Sequence, residues 1–575
     1  MLTGINYREP GLISPDSLVF WVCIMGLKKY IVTILKYLFS IVLMVCNFVT
    51  YPSKKVAVAW MIELLIIAAL SNVIMRPRPS TVARVTARII NDILMLLFNA
   101  QLLIFYFART YLTLVMLTNL DSAEDITGNI FRYGLGIVLV IIFSFLPIEY
   151  ISFDFKKDDS ESASKLNSYR VLAASLALEL AIFSLVGTQM SPIYAYADLA
   201  LQKRDKNRRE DAMQSEMERN HTEDFYKEEI YDNILKPEEL SDNPNIVIVM
   251  AEGLSQNIID DSRDVMPRFR EFEEQGITFT NYYNHTFATY RGIIGQLYSG
   301  FQNENTEKNT LISMMDILED RGYHTVYINV EPANETFTEY TEGLGFDEVI
   351  TGSSEKSGYV KSVSDGHAYE LLYSTIEKES EKETPYFIVM YTFGTHTTFD
   401  SKEEKYGDGS VAFYNKFWNA DYQFGKFFDK WSGTKLADDT LFVMTADHAT
   451  YGDEEYLAAF PEYGSARAVA VIDEMPLILW HKGIKPAKIN ANGRNTLDMA
   501  PTVLDYVDIS APNYFLGDSL FYGFGNEYDT LFSEEAFLFS TSGGNIGSIP
   551  ETSVDETWNL IYNYYAAKLQ EPVNK

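Results

Sequence analysis

The sequence predicts a bundle of five transmembrane helices followed by an exported α/β domain with a mostly parallel central sheet. Long apolar segments fill the first 190 of the 575 residues, and beyond residue 244 short apolar runs alternate with amphipathic stretches. Charge changes near the same place, because residues 1–190 carry a net charge of +3 and the remaining residues carry −35. We therefore predict a membrane domain at 1–192, a charged helical linker at 193–243 and an extracytoplasmic domain at 244–575.

Five apolar segments are long enough to cross a hydrocarbon core, which takes roughly 20 helical residues at about 1.5 Å each. Lys36 and Glu63 interrupt the first two segments. Glu63 and Glu179 either line a polar path or, in the interpretation that we favour, face other helices or the interface. The segments lie near 31–51, 56–75, 91–118, 134–153 and 171–190.

Basic residues orient this bundle. The loop at 76–90 contains four arginines, Arg76, Arg78, Arg84 and Arg88. The loop near 120–130 is acidic, so the positive-inside rule places the first loop in the cytoplasm and the second outside. With Lys28 and Lys29 inside and five crossings, we expect a multi-pass protein of the cell membrane whose C-terminal domain is extracytoplasmic. Residues 1–15 lack the charged start and apolar run of a cleavable signal, so the first helix is expected to act as an uncleaved signal.

The acidic excess beyond residue 190 predicts a domain that binds no nucleic acid and does not dock to anionic lipid by charge, because both surfaces are negative. The two cysteines, Cys23 and Cys46, lie in or near the membrane part. The C-terminal domain is therefore expected to fold without a disulfide around its own core, for which roughly 330 residues suffice.

Beyond Pro244, continuous apolar runs predict buried parallel strands, and the amphipathic stretches between them predict covering helices. Their alternation predicts a mostly parallel sheet covered on both faces. Thinly spaced apolar residues in the linker predict helices that lie along the membrane or the domain, with a solvated spacer as an equal alternative. The predicted strands are 245–250, 324–330, 386–393, 440–446 and 476–480, and the predicted helices lie near 312–322, 367–380, 412–431 and 495–507.

Polar side chains follow three of the predicted strands. Glu252 comes directly after the first strand, His396 follows another, and Asp447 with His448 follows a third. Because sites in open α/β sheets form at the carboxyl ends of strands, we expect these side chains to converge. Carboxylates, one imidazole and a hydroxyl suit Mn²⁺, Mg²⁺ or Zn²⁺, of which we favour Mn²⁺.

Thr289 supplies the hydroxyl of this predicted set. It precedes GIIGQLYSG, a segment that is typical of a helix start. A bound metal would lower the pKa of its hydroxyl, and a phosphoryl group on Thr289 would meet the positive end of the helix dipole. Arg291 either holds a phosphate oxygen or forms a structural ion pair, and His396 is a candidate general acid or phosphate donor.

The order of these stretches resembles the sulfatase-like branch of the alkaline phosphatase superfamily. The whole chain, apolar helices included, is similar to the lipoteichoic acid synthase and phosphoglycerol transferase group. The similar stretches run from about 245 to 520, and the most specific lie in TADHATYG and LDMAPTVLDYVDI. The others are NIVIVMAEGLS, MPRFREFEEQGITFTNYY, TYRGIIGQLYSG, YTFGTH and MPLILW.

This resemblance implies a role for each candidate residue. Glu252, Thr289, Asp447 and His448 would bind the metal, Thr289 would be the nucleophile, and His396 would contact the transferred group. The implied reaction moves glycerol phosphate from phosphatidylglycerol to a glycan or lipid of the cell envelope through a phospho-threonine intermediate, with release of diacylglycerol. Thr286 is the alternative nucleophile, because HTFAT contains two threonines.

One stretch departs from the synthase pattern. The synthases carry Trp and Arg after the next strand to hold glycerol phosphate, whereas VEPANETFTEYTEGLGF offers Phe337 and Glu339 but no Arg. Another head group, such as phosphoethanolamine, or another acceptor is therefore open. A sulfatase is disfavoured, because its nucleophile is made from Cys or Ser in a Cys/Ser-x-Pro/Ala-x-Arg motif and Thr289 cannot be converted that way.

Two other functions stay open on the sequence. A phosphodiesterase or a sulfuric ester hydrolase would use the same residues with water as the acceptor. A non-catalytic membrane protein that binds a glycan or a partner would need no stoichiometric metal, and the aromatic content of 14% would suit sugar stacking.

Overall fold

The structure is a computed structural model. It describes residues 15–50, 52–75, 79–118, 130–150, 161–188, 190–217, 219–230, 234, 236–353, 362–396, 399–463, 467, 469–523, 525–534 and 537–572. Contacts divide the chain into two compact units, Met1–Thr113 with Asn129–Ala200 and Leu114–Gly128 with Leu201–Lys575. Each unit has its own buried core.

Four helices of the first unit are long and apolar enough to cross a membrane, with spans at Tyr30–Thr50, Lys54–Met75, Thr81–Ala108 and Leu166–Leu185. A shorter apolar helix occupies Tyr133–Ser144. The prediction of five spanning helices is therefore wrong for the fourth segment among the described residues. The helices of residues 15–216 in chain order are α1 Pro15–Thr50, α2 Lys54–Met75, α3 Thr81–Ala108, α4 Leu114–Thr118, α5 Ile130–Ser144, α6 Glu161–Val186 and α7 Tyr194–Glu216, of which α4 belongs to the second unit and α7 continues past Ala200 into it.

Local chemistry explains where the predicted boundaries fail. The fourth helix was predicted to reach 153 but ends at Ser144, close to Pro147, which lacks an N–H and disfavours helical conformation in the residue before it. The third helix begins ten residues before the predicted 91, where the Ser80 hydroxyl accepts a hydrogen bond from the Ala83 N–H. It ends at Arg109, whose φ of 56° is left-handed, rather than continuing to 118.

Polar groups within the first unit pair with one another. Lys36 forms an ion pair with Asp92, and its ammonium donates to the Leu146 carbonyl at 3.0 Å. Glu63 accepts hydrogen bonds from the Ser191 hydroxyl and, at 3.2 Å, from the Ile193 N–H. These contacts favour the interpretation in which Glu63 faces other elements of the same unit.

Several predicted features lie outside the described residues. They are the segment 1–14, Arg76 and Arg78, and the acidic loop over 119–129. The predicted extracytoplasmic placement of the C-terminal domain requires an odd number of membrane crossings. With four helices of spanning length and one shorter apolar helix, the extracytoplasmic placement of the second unit stays a prediction.

An eight-stranded sheet organises the second unit, with the order β4-β3-β5-β1-β6-β7-β2-β8. Only the pairs of β7 with β6 and β2 are antiparallel, so the sheet is mostly parallel, as predicted. The strands are β1 Asn245–Ala251, β2 Ile277–Thr280, β3 His324–Asn329, β4 Glu348–Thr351, β5 Tyr386–Tyr391, β6 Thr440–Ala446, β7 Leu477–Trp480 and β8 Ala487–Asn490.

Helices cover this sheet, and a second, three-stranded antiparallel sheet follows it in the order β11-β10-β9. The helices are α8 Thr222–Phe225, α9 Gln256–Ile259, α10 Pro267–Gln275, α11 Thr289–Tyr298, α12 Met314–Asp320, α13 Glu335–Glu342, α14 Asp365–Ser380, α15 Ala412–Trp431, α16 Glu454–Ala459, α17 Met499–Tyr506 and α18 Val554–Ala567. The strands of the small sheet are β9 Leu531–Glu534, β10 Phe537–Ser540 and β11 Gly547–Ser548.

The central strands form the core of the second unit. Every residue of β5 and β6 is buried, and six of the seven residues of β1 are buried. Burial on both faces is the reason that these strands appear in the sequence as continuous apolar runs. The carboxyl ends of β1, β5 and β6 are adjacent, which brings the residues after them to one edge of the sheet.

Candidate active site and metal centre

The strand register places Glu252 beside Asp447. β1 and β6 are parallel, with Ala251 opposite Ala446, and the Asp447 N–H donates to the Ala251 carbonyl at 3.2 Å. The next residue of each strand is a carboxylic acid. Glu252 is 4% exposed and Asp447 1%, so two buried carboxylates meet at the edge of the sheet.

His448 completes a cluster of three potential metal ligands. Its Nε2 lies 3.5 Å from Glu252 Oε1 and 3.5 Å from Asp447 Oδ2. One ligand atom from each residue lies within 4.8 Å of the other two. The Nδ1 of His448 is 2.8 Å from the Ala449 carbonyl, which can only accept, so Nδ1 carries a hydrogen and neutral His448 presents a lone pair on Nε2.

Thr289 reaches this cluster from α11. It is the first residue of that helix, and its hydroxyl lies 3.2 Å from Glu252 Oε2 as a hydrogen-bond donor. The preceding residue, Ala288, has φ 86° and ψ 140°. A residue with a Cβ adopts this conformation at a cost of about 1–3 kcal/mol, so the surrounding structure holds the turn before Thr289.

Close packing fixes α11 against the end of β6. A Cβ added at Gly292 would lie 2.1 Å from the Asp447 carbonyl oxygen, so only glycine permits this approach. One turn later, the Gln296 side chain donates to the Ala446 carbonyl at 2.9 Å. The helix that carries Thr289 is therefore anchored to the backbone of a potential metal ligand.

Two hydroxyl groups that the sequence did not single out orient Glu252. The buried Tyr391 at the end of β5 donates to Glu252 Oε2 at 2.8 Å. The Thr395 hydroxyl donates to the Glu252 carbonyl. The feature that could have identified Tyr391 is its position as the last residue of β5, the strand beside β1, where it pairs with Met250.

Burial and neighbouring charges shift the pKa of all three residues of the cluster. Burial alone would raise the pKa of Glu252, but the contact with His448, the charges of His448 and His396, and the Tyr391 hydroxyl together lower it to about 2. Burial disfavours protonated His448, yet the neighbouring carboxylates raise its pKa to about 9. Burial, with the charge of Glu252, raises the pKa of Asp447 to about 7.

These residues fit a divalent cation. Asp447 Oδ1 accepts hydrogen bonds from the Gly253 and His448 N–H groups, both at 2.8 Å. The other oxygen, Oδ2, is buried and accepts no hydrogen bond among the described residues. Two carboxylates, an imidazole nitrogen and a hydroxyl suit Mn²⁺, Mg²⁺ or Zn²⁺, and a cation would satisfy the oxygen that the protein leaves unbonded.

His396 lies after β5, as predicted, at the same edge of the sheet. Its ring stacks on Phe393 with centroids 4.9 Å apart and an interplanar angle of 7°. The buried Lys416 donates to the His396 carbonyl at 3.3 Å. Among the described residues, the cluster of mutually close ligand atoms comprises Glu252, Asp447 and His448 and does not include His396.

Arg291 and Thr286 contact a different side chain, Glu534 of β9. The Thr286 hydroxyl donates to Glu534 Oε2 at 2.7 Å, and Arg291 Nη2 lies 2.7 Å from Glu534 Oε1. The structure thus places Arg291 in the structural ion pair that the sequence left open, and it brings Thr289, rather than Thr286, to Glu252. Glu534 was not predicted, because nothing in its local sequence marks a contact about 240 residues away.

The stretch VEPANETFTEYTEGLGF lacks the arginine of the synthases, and its Phe337 side chain is not placed to bind a head group. Phe337 is fully buried and packs against Tyr290, Tyr340 and Tyr391, with the last ring centroid at 5.5 Å. Glu339 is exposed on α13. Phe337 therefore supports the tyrosine that orients Glu252 instead of presenting a surface to a ligand.

The sulfatase family model matches residues 244–509 of the chain. This segment is a sulfatase-family domain. The match contains the three residues of the cluster, Glu252, Asp447 and His448, and also Thr289, together with the eight-stranded sheet that positions them. The predicted membership of the sulfatase-like superfamily is confirmed for this domain.

The chain is similar to many solved structures, including the three that follow. A protein of the alkaline phosphatase superfamily from Vibrio parahaemolyticus is 22% identical, with a TM-score of 0.48 over 58% of this chain and 90% of that chain. The lipoteichoic acid synthase LtaP from Listeria monocytogenes is 16% identical, with a TM-score of 0.46 over 60% and 96%. The integral membrane phosphoethanolamine transferase EptA from Neisseria meningitidis is 14% identical, with a TM-score of 0.49 over 87% and 98%.

Proposed function

We propose that the protein is a membrane-anchored, metal-dependent transferase that moves a phospho-head group from a phospholipid to a glycan or lipid of the cell envelope. The observation that carries this proposal is the hydrogen bond of 3.2 Å between the Thr289 hydroxyl and Glu252, inside a cluster of three potential metal ligands. A threonine oxygen at this place can act as a nucleophile that accepts and then releases a phosphoryl group.

The four helices of spanning length support a substrate taken from lipid. A chain anchored in the bilayer holds its α/β domain at the membrane, where the local concentration of phospholipid is high. The transferred group is glycerol phosphate or a similar head group such as phosphoethanolamine. Because Phe337 is buried and no arginine lies in 331–347, the choice between these head groups is left to experiment.

Glu252, Asp447, His448 and the Thr289 oxygen would hold the metal, for which Mn²⁺ is our first choice. When bound, the cation lowers the pKa of the Thr289 hydroxyl and offsets charge on the phosphate. The Glu252 carboxylate, fixed by Tyr391, accepts a hydrogen bond from that hydroxyl and so aligns the Thr289 oxygen.

Two displacements at phosphorus complete the proposed cycle. In the first, the Thr289 hydroxyl releases its proton to solvent as its oxygen bonds to phosphorus, the bond to the diacylglycerol oxygen breaks, and protonated His396 gives that oxygen a proton. In the second, His396 takes the proton of the acceptor hydroxyl as that oxygen bonds to the same phosphorus, the bond to Thr289 breaks, and the threonine oxygen takes a proton from water. The N-terminal end of α11, where Thr289 lies, stabilises negative charge on the phosphorylated side chain.

Hydrolysis is the second candidate, because the same geometry serves when water replaces the acceptor hydroxyl. A phosphodiesterase would release the free head-group phosphate. Sulfatase chemistry is disfavoured, since residues 244–575 contain no cysteine and the nucleophile position holds a threonine.

Product analysis separates these functions. The full chain in detergent micelles with Mn²⁺ is incubated with phosphatidylglycerol or phosphatidylethanolamine labelled in the head group, with and without a glycolipid acceptor. The proposal expects diacylglycerol from one of the two lipids and label on the acceptor. Free labelled head-group phosphate at the same rate in both conditions would indicate a phosphodiesterase. Intact lipid in both conditions, from protein that holds stoichiometric metal, would contradict the proposal.

A further inference from the structure

Glu534 makes three contacts around Thr289, two with the turn before it and one with the first turn of α11. Its Oε2 accepts hydrogen bonds from the Thr286 hydroxyl at 2.7 Å and from the Phe287 N–H at 2.9 Å. Its Oε1 lies 2.7 Å from Arg291 in the first turn of α11. One carboxylate therefore joins residues on both sides of Ala288, whose φ of 86° requires external support.

The surroundings of these contacts exclude solvent. The side chain of Glu534 is 2% exposed and that of Arg291 is 4% exposed, so water cannot replace either partner without rearrangement. The neighbouring Ser533 N–H donates to the His285 carbonyl at 2.9 Å, which attaches β9 to the same segment. Hydrogen bonds to a buried carboxylate are stronger than those at a surface, so this attachment is rigid.

The same turn also reaches the cluster of metal ligands. The Phe287 ring packs on His448 with centroids 4.6 Å apart and on Tyr451 at 5.4 Å. A displacement of the Phe287 backbone would thus move both the entry to α11 and the packing of a potential ligand. Glu534 itself lies beyond the residues 244–509 that match the sulfatase model.

We propose that Glu534 is a positioning residue, which holds the segment 286–291 so that the Thr289 oxygen faces Glu252. This inference depends on the proposed role of Thr289 as the nucleophile. It assigns to the C-terminal sheet a part in the reaction, although Glu534 touches neither substrate nor reacting atoms. A carboxylate that served only the stability of the core would leave the turnover of folded protein unchanged when replaced.

Glu534→Gln tests the inference in the full chain, assayed with head-group-labelled phospholipid and Mn²⁺ in micelles. Glutamine keeps the shape and one acceptor oxygen but removes the charge opposite Arg291. We expect kcat to fall at least tenfold, whereas KM and the Kd for Mn²⁺ stay within twofold, because Glu252, Asp447 and His448 are untouched. Equal kcat in folded Glu534→Gln and wild type would overturn the inference, as would a parallel loss of Mn²⁺ binding.

Two further variants extend the test, and the first of them keeps it decisive if Glu534→Gln folds poorly. Thr286→Val removes one hydrogen bond and should also lower kcat with little change in KM, whereas an unchanged kcat would count against the inference. Ala288→Gly, added to Glu534→Gln, should restore kcat at least threefold, since glycine adopts positive φ without steric cost. No recovery would contradict a positioning role.

Glu307→Gln is the matched control. It breaks another ion pair of the C-terminal region, in which Glu307 lies 2.6 Å from the fully buried Lys568. The kcat of Glu307→Gln should equal that of wild type. An equal loss of kcat in Glu307→Gln and Glu534→Gln would show that Glu534 has only a structural role. Wild type that forms no covalent adduct at Thr289 would overturn the proposed function, whereas an adduct formed equally fast by Glu534→Gln would overturn only this inference.

Discussion

The Thr289 hydroxyl lies 3.2 Å from Glu252 Oε2, although 37 positions separate the two residues in the chain. Glu252 is fixed by the end of β1 and by Tyr391, and Thr289 is fixed by the packing of α11 on β6. The contact therefore joins two independently anchored elements. Its geometry is set by the sheet register and by helix packing rather than by the local sequence of either residue.

Tyr391→Phe should weaken metal binding without disturbing the fold. The substitution removes only the hydroxyl that donates to Glu252 Oε2 at 2.8 Å, and loss of such a partner lowers metal affinity by about 10–100-fold. Titration calorimetry with Mn²⁺ measures this change. Thr395→Ser keeps a hydroxyl near Glu252 and serves as the control with near wild-type affinity. An unchanged Kd for Tyr391→Phe would show that Tyr391 does not orient a ligand.

Asp447→Asn should lose metal and activity together. The side-chain oxygen of asparagine can still accept from the Gly253 and His448 N–H groups, so the local backbone is retained. Only the charge and the second carboxylate oxygen disappear. Elemental analysis of the purified variant gives its metal content. An inactive variant that retains full metal would make Asp447 something other than a ligand.

Gly292→Ala should displace α11 and lower turnover. The new Cβ would lie 2.1 Å from the Asp447 carbonyl oxygen, so the helix must move away from β6. A misplacement of about 1 Å at a reacting group can cost roughly 100-fold in rate, and we expect kcat to fall at least tenfold. Gly433→Ala is the matched control, because nothing lies within 4 Å of a Cβ at that position. Wild-type kcat in Gly292→Ala would contradict the packing argument.

His285 should make the stability of the α/β unit depend on pH. Burial, reinforced by the charge of Arg291, lowers its pKa to about 3, from about 6.5 in the unfolded chain. The unfolded chain binds the proton more tightly, so the stabilisation is complete above about pH 6.5. It is lost as pH falls toward 3, by roughly 1.4 kcal/mol per unit. Thermal melts between pH 7 and 4 should show a shallower decline for His285→Gln, and identical slopes would contradict this assignment.

The edge of the sheet that carries the candidate site could be predicted because buried parallel strands leave a strong sequence signal. β1, β5 and β6 appear as continuous apolar runs, and the polar residues after them end at the same edge. The strands that were missed include β2 and β4, which are four residues long, and β8, which is mostly exposed. Such short or exposed strands lack the apolar run on which the prediction depended.

Residues that act through long-range packing could not be predicted in the same way. Glu534 approaches Thr286 only after the C-terminal sheet has folded against the α/β core, and Gly292 matters because of one backbone atom of Asp447. The predicted helix at 134–153 is wrong at its end for a local reason, because hydropathy does not register the helix-breaking effect of Pro147 and the helix ends at Ser144. Hydropathy identifies apolar segments well and their ends poorly.

The most direct measurement is mass spectrometry of the full chain after incubation with phospholipid and Mn²⁺. We predict a phospho-head-group adduct on the peptide that contains Thr289, with the added mass naming the head group. Thr289→Ala should show no adduct and no turnover while its fold and melting temperature are retained. An adduct at Thr286 or elsewhere, or undiminished turnover by Thr289→Ala, would contradict the central claim that Thr289 is the nucleophile of a metal-dependent transferase.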